Sequence, residues 1–233
     1  MRTLSNNIVQ VWVERSDDYT DTSKMERLLS KEEHERASKF VHAHDRKDFI
    51  IAHGLKRKRI AENLGVKDPS KLRFAADETG KPYLLDADVH FNLSHSHGVS
   101  ALAISTIAPC AVDIEVYRDI NQLSMLIEKT MTVSEQNIIK TAPSQLKAFI
   151  DRWVVKEAFL KLSGVGLSVP LTSICTASEI KNSQSFFGTL RGAALFFKRG
   201  QDYSLAASSS YLLDFVMETP VAAELPNGDM FSN

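Results

Sequence analysis

Residues Gln145 to Ser163 read QLKAFIDRWVVKEAFLKLS, a run without Gly or Pro that Gly164 follows. This composition predicts a long helix with Gly164 at its C-terminus. With residues about 100° apart, Glu157 lies in the middle of an apolar arc and Lys161 at its edge, one turn on. The other members of the arc are Leu146, Phe149, Ile150, Trp153 and Leu160. Because a carboxylate on a buried face is rare unless it is paired or bound to a metal, Glu157 is a candidate functional residue.

Two more carboxylates precede this helix, in Val112-Asp113-Ile114-Glu115-Val116. The alternation predicts a strand with Asp113 and Glu115 on one face. A solvated sheet edge explains this pair alone about twice as well as a metal site does. If the Glu157 helix packs on the strand, three carboxylates converge, and a small set of oxygen ligands suits Mg²⁺. A buried Glu157–Lys161 pair remains the alternative, although it does not account for the other two carboxylates.

A polar corner, Asn92-Leu93-Ser94-His95-Ser96-His97-Gly98, lies between two predicted strands. His-x-His suggests zinc, but no further ligand pattern accompanies it. Ser94 and His95 are candidates for hydrogen bonds to a phosphate oxygen, and a structural histidine is the alternative. The basic run Lys56–Arg59 is typical of a solvated helix face, with a phosphate-binding patch as the second interpretation.

The length of 233 residues and the composition are typical of a globular protein. Because the net charge is −1, no broad electrostatic field indicates binding to nucleic acid or to a membrane surface. No apolar run is long enough for a signal peptide or a membrane span, and we expect a cytoplasmic protein. Cys110 and Cys175 match no metal spacing and are expected to be reduced core residues.

Alternation and capping patterns predict a mixed α+β chain. Ile8–Glu14 is expected to open it as a strand, and capping boxes at Ser30/Glu33 and Thr132/Glu135 are expected to begin helices. The best boundary is near Ala108-Pro109, which gives an N-terminal lobe of residues 1–109 and a C-terminal lobe of residues 110–233. The last dozen residues are expected to fray.

In this order, the motifs resemble those of the 4′-phosphopantetheinyl transferases, in the longer, two-lobed (surfactin-synthetase-activating) type. The motifs are FNLSHS from Phe91, VDIE from Val112, and WVVKEAFLK from Trp153 with Gly164 and Gly166 after it. The resemblance covers about residues 30 to 210. It implies two pseudo-symmetric α/β lobes, each a small sheet packed by helices, with the active site in the cleft between them. It also implies transfer of the 4′-phosphopantetheine of coenzyme A to a serine hydroxyl of an apo carrier protein, which releases adenosine 3′,5′-bisphosphate.

The resemblance assigns roles to individual positions. Asp113, Glu115 and Glu157 are expected to bind Mg²⁺, with Mn²⁺ as an alternative ion. Glu157 is also the expected general base, and Lys161 is expected to neutralise the pyrophosphate. Contacts to coenzyme A are expected from Arg36, Arg57, Gly80, Lys81, Pro82, Ser94, His95 and Lys161.

The implied partner is an apo acyl or peptidyl carrier protein. The resemblance also implies that residues 117–131 contact this carrier and that the enzyme is a monomer. The apolar residues of that segment, Leu123, Met125, Leu126 and Met131, are equally well interpreted as core. Two other functions remain: a Mg²⁺-dependent phosphohydrolase that acts on coenzyme A, and a non-catalytic module that binds coenzyme A or a carrier.

Overall fold

The computed structural model describes residues 7–164, 169–178, 180, 184–218 and 220. Gly166 and the expected frayed end lie outside these residues. The helices are α1 (Ser23–Glu26), α2 (Lys31–Ala37), α3 (Ala43–Leu64), α4 (Leu123–Thr130), α5 (Val133–Thr141) and α6 (Gln145–Ser163). The strands are β1 (Ile8–Arg15), β2 (Phe74–Ala76), β3 (Pro82–Leu84), β4 (His90–Ser96), β5 (Val99–Ser105), β6 (Cys110–Val116), β7 (Ser185–Leu190), β8 (Ala193–Arg199), β9 (Tyr203–Ser209) and β10 (Asp214–Met217).

Two four-stranded sheets form the frame, and the expected α+β class with two sheet-and-helix lobes is confirmed. The first sheet has the order β10-β1-β5-β4, the second has the order β6-β9-β8-β7, and β2 and β3 form a separate ribbon. One face of the first sheet packs on α3 around Trp12 and Leu102, and one face of the second packs on α6 around Phe149 and Phe197. The two remaining faces share one apolar core, so the layers run helix, sheet, sheet, helix.

The last described strand changes the expected division of the chain. β10 pairs parallel with β1, so a segment from the second half of the chain completes the sheet of the first half. The boundary near residue 109 stays a prediction. It describes where the chain passes from one sheet to the other, but the first sheet is not built from residues 1–109 alone.

Local signals account for most helix ends. Both capping boxes form: the Ser30 hydroxyl accepts from the Glu33 amide, and the Thr132 hydroxyl accepts from the Glu135 amide. Helix α6 has the predicted bounds, and Gly164 follows its last residue as the C-cap with φ of 69°. Helix α2 ends at Ala37, whereas the sequence pattern predicts a helix from Lys31 to Val41.

The cysteine prediction is half right. Both cysteines are free, and Cys110 is buried between the sheets. Cys175, however, is exposed. Among the described residues, no helix is both long and apolar enough to cross a membrane.

Candidate active site

The site centres on Asp113, in the middle of β6. The alternate side chains Val112 and Ile114 enter the core between the sheets, so Asp113 and Glu115 lie on the opposite face, toward α6. Lys161, in the last turn of α6, places its Nζ 2.6 Å from Asp113 Oδ1. The strand and the helix therefore bring the two predicted motifs into direct contact.

Strand β4 contributes a third component, because its polar residues point at β6. The Ser94 hydroxyl lies 3.0 Å from Lys161 Nζ and donates to Asp113 Oδ1 over 2.9 Å. The Ser96 hydroxyl donates to Glu115 Oε2 over 2.7 Å, and Asn92 Oδ1 accepts from the Val112 amide over 2.9 Å. These side chains fasten the free edge of β6 to the first sheet.

Ser96 and Asn92 were not predicted as site residues. The signal that would have found them is the period-two spacing of Asn92, Ser94 and Ser96, which places all three on one face of a strand. His95 lies on the other face and does not join this cluster. It lines a separate cavity, described below.

Each of the three carboxylates has a raised pKa. Burial is the main cause for each of Asp113, Glu115 and Glu157. The charge of Asp113 raises the pKa of Glu115 and Glu157 further, while the Lys161 ammonium opposes the shift. Partial burial together with like charges is the environment that turns a carboxylate into a better base.

Two carboxylate oxygens are available for a further ligand. Asp113 Oδ2 and Glu157 Oε1 are buried and, among the described residues, have no hydrogen-bond partner. Oxygen atoms of this kind fit Mg²⁺. Within the described part of the chain, however, no group of three His, Cys, Asp or Glu side chains is arranged to hold a metal by itself. The donor set therefore fits a Mg²⁺ ion that takes further oxygens from water and a substrate.

A cavity of about 680 Å³ lies in the first lobe. Strand β4 links it to this cluster, because His95 lines the cavity while Ser94 and Ser96 contact β6. Arg36 and His95 both line it, so the structure brings these two predicted residues together. The Arg36 guanidinium lies 5.2 Å from the centre of the Phe49 ring. The His53 ring stacks on Phe49, with the two ring centres 4.0 Å apart. Three further basic or titratable side chains that sequence reasoning missed, His44, Lys47 and His97, also line the cavity. Asp17, Asp45 and Asp48 line the cavity as well, so its wall carries both positive and negative side chains.

Arg57 does not reach this cavity, and its expected contact with coenzyme A is corrected. The guanidinium is 3% exposed and bonds the Glu33 carboxylate, and its Nη1 donates to the carbonyls of Pro69 and Leu72 over 2.8 and 3.0 Å. Burial would raise the pKa of Glu33, but hydrogen bonds from His53 and from the basic run hold it well below its usual range. Because these contacts join distant segments, the sequence pattern did not reveal them.

The turn Gly80-Lys81-Pro82 lies across the cleft from α6. Gly80 has φ of 84°, and Asp77 fixes the turn by accepting from the amides of Thr79 and Lys81 over 2.8 and 3.0 Å. Lys81 Nζ donates to the carbonyl oxygen of Lys161 over 3.3 Å. The turn therefore stands at the C-terminal end of α6, with a small cavity of about 90 Å³ beside Lys81 and Pro82.

Of the four apolar residues expected to meet a carrier protein, one is buried in the core, two are partly buried and one is exposed. Met131 is 1% exposed, and Leu123 and Leu126 pack partly against the core under α6. Met125 is 40% exposed on α4. Met125 is therefore the most exposed of these four residues.

Comparison with known proteins agrees with this geometry. A family model described as the 4′-phosphopantetheinyl transferase superfamily matches residues 109–214, and a second, described as 4′-phosphopantetheinyl transferase, N-terminal, matches residues 12–107. The 4′-phosphopantetheinyl transferase Sfp of Bacillus subtilis is 31% identical over 170 residues, which cover 71% of this chain and 74% of that protein. The 4′-phosphopantetheinyl transferase HetI of a Nostoc species is 28% identical over 173 residues, covering 71% and 73%.

A solved structure, the holo-[acyl-carrier-protein] synthase of Thermotoga maritima, matches with a TM-score of 0.31 and 16% identity. It covers 46% of this chain and 63% of that chain, and so loose a superposition supports no argument. The sequence matches span both halves of the chain and include the strand and helix that carry Asp113, Glu157 and Lys161. This chain therefore belongs to the 4′-phosphopantetheinyl transferase superfamily.

Proposed function

We propose that this cleft transfers the 4′-phosphopantetheine group of coenzyme A to a serine hydroxyl of an apo carrier protein, with adenosine 3′,5′-bisphosphate as the second product. The observation that carries the proposal is the meeting of Ser94, Asp113 and Lys161, drawn from β4, β6 and α6. Strand β4 also contributes His95 to the cavity that Arg36 lines. The diphosphate of coenzyme A requires positive charge near its oxygens, and the adenosine attached to it requires a cavity. The rival functions use parts of this arrangement but not all of it.

Asp113, Glu115 and Glu157 would hold the Mg²⁺ ion, and Mn²⁺ would serve as a substitute. A divalent ion at this position supplies positive charge to the diphosphate oxygens as charge develops on them. Glu157 accepts the proton of the carrier serine, directly or through a water, and burial raises its pKa toward the range of a useful base. The serine Oγ then bonds to the β-phosphorus as the bridging P–O bond breaks, and the electron pair leaves with the bisphosphate.

Lys161 neutralises the departing phosphate, because its ammonium already stands at Asp113 and Ser94. Ser94 is expected to exchange its bond to Asp113 for one to a phosphate oxygen. Lys81 contacts the carbonyl of Lys161 near the end of α6, and the neighbouring Gly80 and Pro82 are proposed to contact the adenine. Arg36 and His95 face the cavity proposed for the 3′-phosphate.

Replacement of Arg36 tests the 3′-phosphate site. The Arg36→Gln variant is expected to bind coenzyme A at least tenfold more weakly, because it loses a charge-assisted contact. Its affinity for 3′-dephospho-coenzyme A should match that of the unmodified protein, since that ligand has no phosphate for Arg36 to meet. Isothermal titration of both ligands measures the difference.

Lys58→Gln is the matched control, because Lys58 lies on α3 and pairs with Glu62 rather than facing the cavity. It should leave both affinities unchanged. If Arg36→Gln weakened the two ligands equally, the 3′-phosphate would have to lie elsewhere.

The carrier protein is proposed to dock on residues 117–131, with Met125 as an apolar contact. Met125→Glu is expected to raise the KM for the carrier at least fivefold, because a charge would enter an apolar contact. The KM for coenzyme A should not change, since α4 stands outside the cavity. Steady-state kinetics with each substrate varied in turn measures both, and equal effects on the two KM values would contradict this docking surface.

We further propose that the enzyme acts as a monomer on acyl or peptidyl carrier proteins. Support comes from the site itself, because β4, β6 and α6 of one chain supply the contacts among Ser94, Asp113 and Lys161.

One assay distinguishes the three functions: incubation with coenzyme A and apo carrier protein, with Mg²⁺ or with a chelator, followed by intact mass of the carrier. A carrier that gains phosphopantetheine only with the metal supports the transferase. Breakdown of coenzyme A without an acceptor would indicate the phosphohydrolase. Binding without either product would indicate a non-catalytic module.

A further inference from the structure

A second large cavity, of about 520 Å³, lies at the N-terminal half of α6, away from the proposed active site. Arg152 lines it, and nine helical positions separate Arg152 from Lys161, roughly 14 Å along the helix axis. The loop between β8 and β9 forms the facing wall. The residues that matter here are Tyr117, Lys147, Asp151, Arg152, Arg199 and Gln201.

The carboxylates near Arg152 already have cationic partners. Asp151 Oδ2 accepts from Arg199 Nε over 2.9 Å and from Arg199 Nη2 over 2.6 Å. Glu135 Oε2 accepts from Lys156 Nζ over 2.7 Å. Asp151 is thus neutralised by Arg199, and Glu135 by Lys156. The positive charge of Arg152 is not balanced by either carboxylate.

Arg152 is nonetheless only 3% exposed. Its Nη1 donates to the carbonyl oxygen of Ala148 over 2.8 Å, while its Nε is buried and, among the described residues, has no partner. Burial lowers the pKa of this guanidinium, which the charges of Asp151 and Glu135 only partly offset. A buried cation without a carboxylate is costly unless some other anion meets it.

The rim of the cavity adds a second positive charge. Lys147 lies 5.0 Å from the centre of the Tyr117 ring, and both residues line the opening. Asp151 is the one acidic residue among the described residues that line the cavity, and it forms an ion pair with Arg199. The wall is therefore cationic, partly apolar and open to solvent.

We propose that this cavity binds a small oxyanion, a phosphate or a carboxylate, with Arg152 as the principal donor and Lys147 at the rim. A planar guanidinium with a free Nε–H suits two-oxygen anions better than an ammonium does. The site is separate from the coenzyme A cleft and does not depend on the proposed function.

The test follows the Nε–H signals of arginine by NMR, in the presence of saturating coenzyme A so that the Arg36 cavity is occupied. The Arg152 signal is identified by its loss in Arg152→Lys. Inorganic phosphate and succinate are titrated separately, each against potassium chloride at matched ionic strength. We expect a saturating shift of the Arg152 signal with one probe or both, and the more effective probe identifies the anion class.

The Arg152→Gln variant, followed at the backbone amide of Gln201, should bind that probe at least tenfold more weakly. Lys58→Gln, on the other lobe, should bind as the unmodified protein does. Shifts that do not saturate, or that chloride reproduces, would overturn the proposal even if the Arg152 variants failed to fold. Unchanged affinity in a folded Arg152→Gln would overturn it as well.

Discussion

Glu157→Gln is expected to reduce transfer of phosphopantetheine by about a thousandfold while it leaves the affinity for coenzyme A within about threefold. The amide is nearly isosteric with the carboxylate, so the end of α6 and the Lys161–Asp113 contact should persist. What disappears is the ability to take a proton. The measurement is the rate at which the carrier gains mass, together with direct titration of coenzyme A.

The physical reason lies in how Glu157 is placed. It is half-buried, burial raises its pKa, and the charges of Asp113 and Glu115 raise it further. Its Oε1 is buried and, among the residues described, accepts no hydrogen bond. An oxygen with this freedom can bind a cation or a proton, whereas a glutamate engaged in a structural ion pair would be committed elsewhere.

The matched control is Glu62→Gln, at an exposed glutamate on α3 that pairs with Lys58 and Arg59 of the same helix. This variant should transfer phosphopantetheine at the rate of the unmodified protein. If Glu157→Gln retained more than about a tenth of the activity, Glu157 would not be the base. A loss of coenzyme A affinity in proportion to the rate would instead assign Glu157 to ground-state binding.

The sequence predicted the parts of this site that depend on local periodicity. Glu157 and Lys161 share a helix edge because they are one turn apart, and Asp113 and Glu115 share a strand face because they are two residues apart. Capping boxes fixed the beginnings of α2 and α5. In each case the determining interaction lies within a few residues of chain.

Contacts between distant segments were the ones that escaped prediction. β10 is a short strand at a sheet edge, and its pairing with β1 joins the two ends of the described chain. Arg57 sits in a basic run that favours a solvated face, yet Glu33 and three backbone carbonyls bury it. A cation's partner is chosen by tertiary packing, which a pattern of nearby residues does not encode.

Lys156, next to Glu157, is the second test with a large expected effect, this time on stability. Lys156 and Glu135 are both 0% exposed. Lys156 Nζ donates to Glu135 Oε2 over 2.7 Å and to the carbonyls of Thr130 and Leu171 over 2.9 and 3.1 Å. Glu135 also accepts from the amides of Thr132 and Thr176. One buried pair thus ties α6 to the end of α4 and the start of α5.

Lys156→Met is expected to lower the free energy of unfolding by about 3–5 kcal/mol, because it leaves the Glu135 carboxylate buried without its cation. Urea unfolding followed by circular dichroism measures the loss. Lys129→Met, at an exposed lysine in the last turn of α4, should change stability by no more than about 0.5 kcal/mol.

The double variant Lys156→Met with Glu135→Gln separates a lost charge pair from lost packing. Because the glutamine carries no charge, the double variant should be at least about 1 kcal/mol more stable than Lys156→Met alone. Additive losses from the two substitutions would mean that side-chain packing, and not the isolated carboxylate, causes the effect. Since α6 also carries Glu157 and Lys161, the recovered stability should be accompanied by recovered transfer activity if this pair holds the catalytic helix against α4 and α5.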